Sequence, residues 1–237
     1  MSTHAESPRT ALDRAKDAIR PLAIRLAASG RLQRVAHRLA YFGRFHRWTR
    51  EHPCPQAETR TALYERVASE AVGDRAVGYL EFGVFKGTTV AWWAQRSANP
   101  SSAFVGFDSF EGLPESWAGM SAGTFSTGGA IPNIPDARVR FEKGWFSATV
   151  PGFLARESAG DRVLVAHLDA DLYSSTLLVL LHLAPHLVPG SILIFDEFAD
   201  YEDEFRALED ALRAFPFKYR ALAHTPSWTQ VALQVTA

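Results

Sequence analysis

A chain of 237 residues, 47% hydrophobic and 22% charged, has the apolar content for one large globular domain with an appendage and is too apolar to be disordered. The single cysteine, Cys54, excludes an intramolecular disulfide and any multi-thiolate metal site, which fits a reducing cytoplasmic compartment. The formal net charge of −1 is unevenly divided: residues 1–50 carry ten Arg and one Lys against Glu6, Asp13 and Asp17, a surplus of +8, so the remainder carries −9 and is a poor match for nucleic acid.

In chain order, Ala18, Ile19, Leu22 and Leu26, then Leu32, Val35, Leu39 and Phe42, recur at helical spacing. They predict two amphipathic helices broken near Gly30. The apolar stretch Pro21–Ser29 is interrupted by Arg25 and is too short to span a bilayer. Glu51–Pro55 reads as a linker and Ala57–Val72 as a third helix, which sets a basic arm over 1–56 and the main domain over 57–237. Beyond it, Tyr79–Phe82, Ala103–Phe107, Val139–Phe141, Val163–Leu168 and Ser191–Phe195 are short apolar runs ending in Gly or an acid, several of them separated by helical segments. That alternation predicts an α/β fold with a parallel sheet and crossover helices. After a helix over Glu202–Phe215, Lys218–Ala223 and Gln230–Thr236 are expected to close an edge as an antiparallel hairpin, making seven strands.

Three features carry chemistry. The first strand runs into Glu81-Phe82-Gly83-Val84-Phe85-Lys86-Gly87-Thr88-Thr89, where two glycines let backbone pass close to a ligand at the head of a helix and an acid ends the strand. The second strand ends in Phe107-Asp108-Ser109, which places Asp108 near the spacing at which an acid in a nucleotide-binding βαβ unit meets a ribose diol. No G-x-G-x-x-G is present to cradle a pyrophosphate, which speaks against NAD, whereas S-adenosyl-L-methionine (SAM) has no phosphate to cradle. Third, Asp169 and Asp196-Glu197 end the fourth and fifth strands. They should converge on the crevice outside the carboxyl ends of the sheet, where grouped carboxylates need a proton or a hard cation such as Mg²⁺ between them. The alternative is that Asp169 binds only cosubstrate or substrate while Asp196 or Glu197 caps the next helix.

Five stretches, Glu81-x-Gly83-Val84, Asp108-Ser109-Phe110-Glu111-Gly112-Leu113-Pro114, Gly144-Trp145-Phe146, Leu168-Asp169-x-Asp171-Leu172-Tyr173-x-Ser175-Thr176 and Phe195-Asp196-Glu197-Phe198, occur in one order. Together they resemble the macrocin O-methyltransferase family over about residues 78–236. The resemblance implies a Rossmann-like, doubly wound sheet and a SAM-dependent enzyme that methylates a hydroxyl of a sugar or natural product. It implies SAM contacts at Glu81, Gly83 and Asp108, extended here to the neighbouring Phe85, Gly87, Thr88 and Ser109 and to Gly144, Trp145 and Phe146 where an adenine would stack. It also implies Mg²⁺ at Asp169, Asp196 and Glu197, with Asp169 as the base. The family has Asp-Asp where this chain has Asp196-Glu197, and glutamate ligates through a longer side chain.

Other readings stand beside this one: a metal-free N- or O-methyltransferase with Asp169 acting alone, a nicotinamide-dependent oxidoreductase, or a non-catalytic module that binds through its basic arm. Residues from Trp117 to Pro135, rich in Gly, Ser and Pro, read as a lid or a surface loop. His167 is expected in packing, and Tyr173 as a core contact or a substrate wall. A helix that is both basic and striped with apolar residues calls for a partner. The reading favours packing on the acidic remainder, across a homo-oligomer, over an anionic membrane surface.

Overall fold

A computed structural model describes residues 19–21, 24, 30–157 and 159–237. The chain divides into two compact units, Met1–Trp48 and Thr49–Ala237. The first holds most of helix α1 (Gly30–Glu51), on which Leu32, Val35, Leu39 and Phe42 are exposed. Ile19 and Ile24 are also helical and exposed, whereas Ala18, Leu22 and Leu26 of the first predicted helix lie outside the described residues. No helix among the described residues is long and apolar enough to cross a membrane.

The second unit is built on a seven-stranded sheet. Its strands are β1 (Val77–Phe82), β2 (Ala103–Asp108), β3 (Val139–Lys143), β4 (Val163–Leu168), β5 (Ile192–Phe195), β6 (Tyr219–His224) and β7 (Val231–Val235), in the order β3-β2-β1-β4-β5-β7-β6. The first five pair in parallel, and only β7 runs against its neighbours. The predicted hairpin therefore forms, but its last strand enters between β5 and β6 instead of adding outside them. Pro55–Ala57 lies along the free edge of β6, with the Ala57 amide donating to His224 O at 2.7 Å and the His224 amide to Pro55 O at 3.1 Å.

Every residue of β1, β4 and β5 is buried, as expected of parallel strands covered on both faces. On one face lie α2 (Arg60–Arg66), the π-helical turn Val67–Val72 and α3 (Thr88–Arg96); Tyr79 stacks there on Trp93 and tilts against Phe104. On the other lie α4 (Phe146–Arg156), α5 (Tyr173–Leu183) and α6 (Glu204–Ala214), against which the stacked pair Phe82–Phe107 meets Phe146 and Phe153 edge-on. The period-two alternation sends Val77, Tyr79 and Glu81 to the first face and Leu80 and Phe82 to the second.

One arginine fixes the edge of this frame. Arg138, just before β3, donates to the carbonyls of Ala94, Ser97 and Asn99 at the end of α3, at 2.7–3.0 Å. Its guanidinium also grips the Asp136 carboxylate, which that hydrogen bonding holds down at about 2. A cation on the last carbonyls of a helix complements its dipole. Replacing Arg138 by alanine should lower the stability of the protein by about 1–3 kcal/mol, since several polar groups lose their partner together. Denaturant unfolding reads this, and an unchanged midpoint would show that those carbonyls are satisfied by water.

Candidate active site

The strand order places the site. Successive crossovers run outward from β1 on one side and from β4 on the other, so the loops after these neighbouring strands diverge and leave a crevice. Gly83 stands at its floor with φ +96°, and a Cβ there would lie 1.7 Å from Asp169 O. Only glycine lets the two strand ends leave side by side. The Asp169 amide donates to Phe82 O and the Gly83 amide to Phe107 O, which continues the ladder up to the point of separation.

Asp108 then shapes the glycine turn. Its Oδ2 accepts from the amides of Val84 and Phe85, both at 2.8 Å, and its Oδ1 from the amide of Phe110 at 2.7 Å. Gly87, in the left-handed region at φ +74°, starts α3; a Cβ there would press on Pro132 and Ile134. Thr88 follows as the first helical residue. Ser109 is buried and accepts the Glu111 amide. The Gly144 amide donates to Asp108 O, Trp145 is 42% exposed at the rim, and Phe146 meets Phe82 edge-on.

The opposite half is acidic. Asp169, Asp171 and Glu197 bring carboxylate oxygens within 4.8 Å of one another, and a ring nitrogen of His167 lies within the same distance of carboxylate oxygens of Asp169 and Asp196. Burial, with the neighbouring acids, raises Asp169 to about 6, Asp171 to about 7 and Glu197 to about 12. Burial also works on Asp196, but His167 and Arg60 outweigh it and hold its carboxyl below the usual range. Buried Asp196 Oδ1 and Glu197 Oε2 have no hydrogen-bond partner. Behind them Glu204 is fully buried, accepts the Glu197 amide on Oε2, and is pushed well up by burial.

A buried chain of polar groups ties the two halves. Tyr79 O–H donates to Glu81 Oε2 at 2.8 Å, and its oxygen lies 3.1 Å from His167 Nδ1. His167 Nε2 is 3.3 Å from Tyr64 Oη, which accepts from Arg60 Nε at 2.6 Å. Arg60 Nη2 then reaches Asp169 Oδ2 at 2.5 Å and Asp196 Oδ2 at 2.7 Å. Burial above all pushes Glu81 well above the ordinary carboxyl range, against the Tyr79 hydrogen bond and with Asp169 and Asp196 adding to it.

One cavity of about 530 Å³, within the usual range for small-molecule sites, joins these groups. Glu81, Gly83, Phe85, Thr88, Asp108, Ser109, Gly144, Trp145, Phe146, Asp169, Asp196 and Glu197 all line it. Gly87 does not: it faces Pro132 and Ile134 and acts on the turn. His167 is packed between two tyrosines as expected, yet it also comes within 3.6 Å of Asp196 Oδ1. Tyr173 is outside the cavity, donating to Asp210 under the Arg206 guanidinium. Arg60 and Asp171 line the cavity and were not singled out as site residues from sequence. Asp171 had a visible signal, the second acid of Leu-Asp-x-Asp, and its left-handed φ of +58° marks a deliberate turn. Arg60 had none, lying 109 residues before Asp169.

Residues 112–125 fold over one side of the cavity, with the Leu113 amide donating to Thr124 O and the Gly123 amide to Leu113 O. Leu113, Pro114 and Phe125 face inward, and Phe125 meets Phe85 edge-on. Trp117 Nε1 donates to Asp203 and Ser174 Oγ to Glu115, so the segment is fastened to the acidic side. Of the stretch from Trp117 to Pro135, Phe125 lines the cavity, and every residue of the stretch is exposed or half-buried.

A family model described as methyltransferase domain matches residues 80–198. The chain is 34% identical over 134 residues to the 8-demethyl-8-(2,3-dimethoxy-alpha-L-rhamnosyl)-tetracenomycin-C 4'-O-methyltransferase of Streptomyces olivaceus, covering 47% of this chain and 46% of that one. It is 38% identical over 63 residues to the mycinamicin III 3''-O-methyltransferase of Micromonospora griseorubida, covering 27% of this chain and 23% of that one. The chain thus spans less than half the length of these curated relatives. The solved structure of CalS11, a calicheamicin methyltransferase, superposes with a TM-score of 0.56 at 26% identity, covering 73% of this chain and 76% of that one.

Since the Cβ of any other residue at position 83 would strike backbone, the Gly83→Ala variant should lose about 2–4 kcal/mol of stability. Its melting temperature should fall by several degrees or more. A variant that melts with the wild type would show that β1 and β4 can separate freely.

Proposed function

We propose, since the chain belongs to the methyltransferase-domain family, that it is a SAM-dependent O-methyltransferase acting on a hydroxyl of a sugar or natural-product small molecule. The observation that carries this reading is the single cavity with a glycine turn and ribose-facing acid on one side and a carboxylate cluster on the other. When bound, SAM supplies a methyl group already activated on a sulfonium, so the residues need only bind, align and exclude water. Glu81 lines the site beside Gly83 and suits the amino-acid end of the cosubstrate. Asp108 spends one lone pair of Oδ1 and two of Oδ2 on backbone amides, and carboxylate oxygens have about four acceptor sites between them, which leaves about one, on Oδ1, for a ribose hydroxyl. Trp145 and Phe146 supply an aromatic wall for adenine. Asp169, raised to about 6 and open to the cavity, is the base that takes the hydroxyl proton. The acceptor class follows the relatives, whose names place methylation on 4'- and 3''-hydroxyls.

The donor set also fits Mg²⁺. Asp169, Asp171 and Glu197 offer only oxygen, their acids are pushed up first by burial and then by neighbouring acids, and Glu197 Oε2 is buried without a partner. A magnesium ion there would bind acceptor oxygens and lower the hydroxyl pKa. The metal-free reading keeps one specific observation in its favour: Arg60 already places a positive charge on Asp169 and Asp196.

Transfer of labelled methyl from SAM to a panel of glycosylated natural products tests the activity; no transfer to any hydroxyl acceptor, with S-adenosylhomocysteine unbound, would overturn it. Asp169→Asn should cut turnover about 100- to 10,000-fold with S-adenosylhomocysteine binding nearly intact. EDTA should abolish turnover and Mg²⁺ restore it, whereas full activity in EDTA establishes the metal-free reading. Asp108→Ala should weaken S-adenosylhomocysteine binding by about 1–3 kcal/mol in calorimetry, and unchanged affinity in a folded variant would remove Asp108 from the ribose site.

A further inference from the structure

Two phenylalanines at the cavity adopt a backbone that bulky residues avoid. Phe85 and Phe125 both line the cavity, are 36% and 42% exposed, and have left-handed backbones at φ +50° and +67°. Such strain persists only where the surroundings impose it, and it gathers at sites that use it. The two rings come from separate segments, the glycine turn and residues 112–125, and meet edge-on with centroids 5.8 Å apart.

Both segments are tied to the end of β2. Asp108 Oδ2 accepts the Phe85 amide, and its Oδ1 accepts the Phe110 amide. The carbonyl of Phe110 in turn takes the amides of Thr127 and Gly129, just beyond Phe125. On the near side of Phe125, Thr124 O accepts the Leu113 amide. The same acid proposed for the ribose therefore anchors the turn that carries one ring and, through Phe110, the segment that carries the other.

The place of these rings against the cosubstrate follows from its covalent structure. Its sulfur joins the ribose to the amino-acid chain, so a molecule with its ribose at Asp108 and its amino-acid end at Glu81 has its sulfur between them. The turn over residues 83–85 lies in that interval, with Phe85 on one side and Phe125 meeting it from the other. An aromatic face attracts a cation more strongly than a neutral group of the same shape. The Phe85 ring already does so, since Nζ of exposed Lys86 lies 5.0 Å from its centroid.

We infer that Phe85 and Phe125 form an aromatic cradle for the sulfonium, which shifts the preference of the site from the neutral thioether product towards the charged cosubstrate. This rests on the SAM reading above. In the transfer the acceptor oxygen gives an electron pair to the methyl carbon, and the carbon–sulfur pair stays on sulfur. The positive charge is lost at that moment, and with it the attraction to the rings, which favours departure of S-adenosylhomocysteine.

Calorimetric titration of the full chain with SAM, S-adenosylhomocysteine and sinefungin tests this; sinefungin carries an ammonium-bearing carbon in place of the methylsulfonium. Phe85→Leu and Phe125→Leu keep apolar bulk and remove the aromatic face. Each should weaken SAM and sinefungin about three- to tenfold and S-adenosylhomocysteine by less than about twofold, the scale of a cation over a ring. Phe85→Tyr keeps the ring and should keep the wild-type ratio of SAM to S-adenosylhomocysteine affinity. Melting curves establish that each variant is folded, and should Phe85→Leu fail to fold, Phe125→Leu decides. Equal weakening of all three ligands would reveal a plain apolar wall, and unchanged affinities would show that the rings stand clear of the sulfur. Either result overturns the inference and leaves the SAM reading standing. Absence of binding by all three ligands to the wild type would instead overturn the SAM reading, and this inference with it.

Discussion

Five carboxyl groups, Asp169, Asp171, Asp196, Glu197 and Glu204, gather where β4 and β5 end, and the rest of the site answers to the cost of keeping them there. Burial leads the list of forces on each, and it raises four of the five above the ordinary range. Asp196, nearly inaccessible, is the exception because His167 and Arg60 face it. A group of acids removed from water is stable only with protons, cations or directed donors among them. Much of what looks incidental elsewhere serves that need. Helix α2 begins with a cation, Tyr64 orients that cation, and His167, Tyr79 and Glu81 extend the hydrogen-bonded chain beneath β1 and β4.

The sheet makes the gathering possible. Parallel strands leave their carboxyl ends on one edge, and the reversal of strand order between β1 and β4 opens that edge at one point. Gly83 and Asp169 mark the opening from its two sides, in backbone contact. The cosubstrate half and the acidic half are therefore not separate features brought together by loops. They are the two sides of one separation between neighbouring strands, and methyl donor and acceptor would meet where the strands part.

The central strands were legible in sequence because burial on both faces turns β1, β4 and β5 into nearly unbroken apolar runs, and an acid or glycine follows where the crevice begins. β4 was read to its exact residues, and the sharp turn at Gly83 and the acids at 108, 169, 196 and 197 followed from the same rule. The order of the last two strands was not legible, since a hairpin's local pattern is the same whether its second strand adds inside or outside; pairing of Ile192–Phe195 with Val231–Gln234 decides it. Asp108 was legible as an acid at the right place, but its three backbone amides were not, because they depend on how the turn at Val84 and Phe85 folds back. Arg60 was hidden for a deeper reason. Its partners are set by the packing of α2 against the sheet, and nothing local distinguishes it from any arginine at a helix start.

The glutamate at 197, where the family resemblance has aspartate, is best understood through its neighbours. Asp196 meets Arg60 and His167, while Glu197 shares oxygens with Asp169 and Asp171 and also neighbours Asp196. The backbone between them is fixed, because the Glu197 amide donates to buried Glu204 at the head of α6.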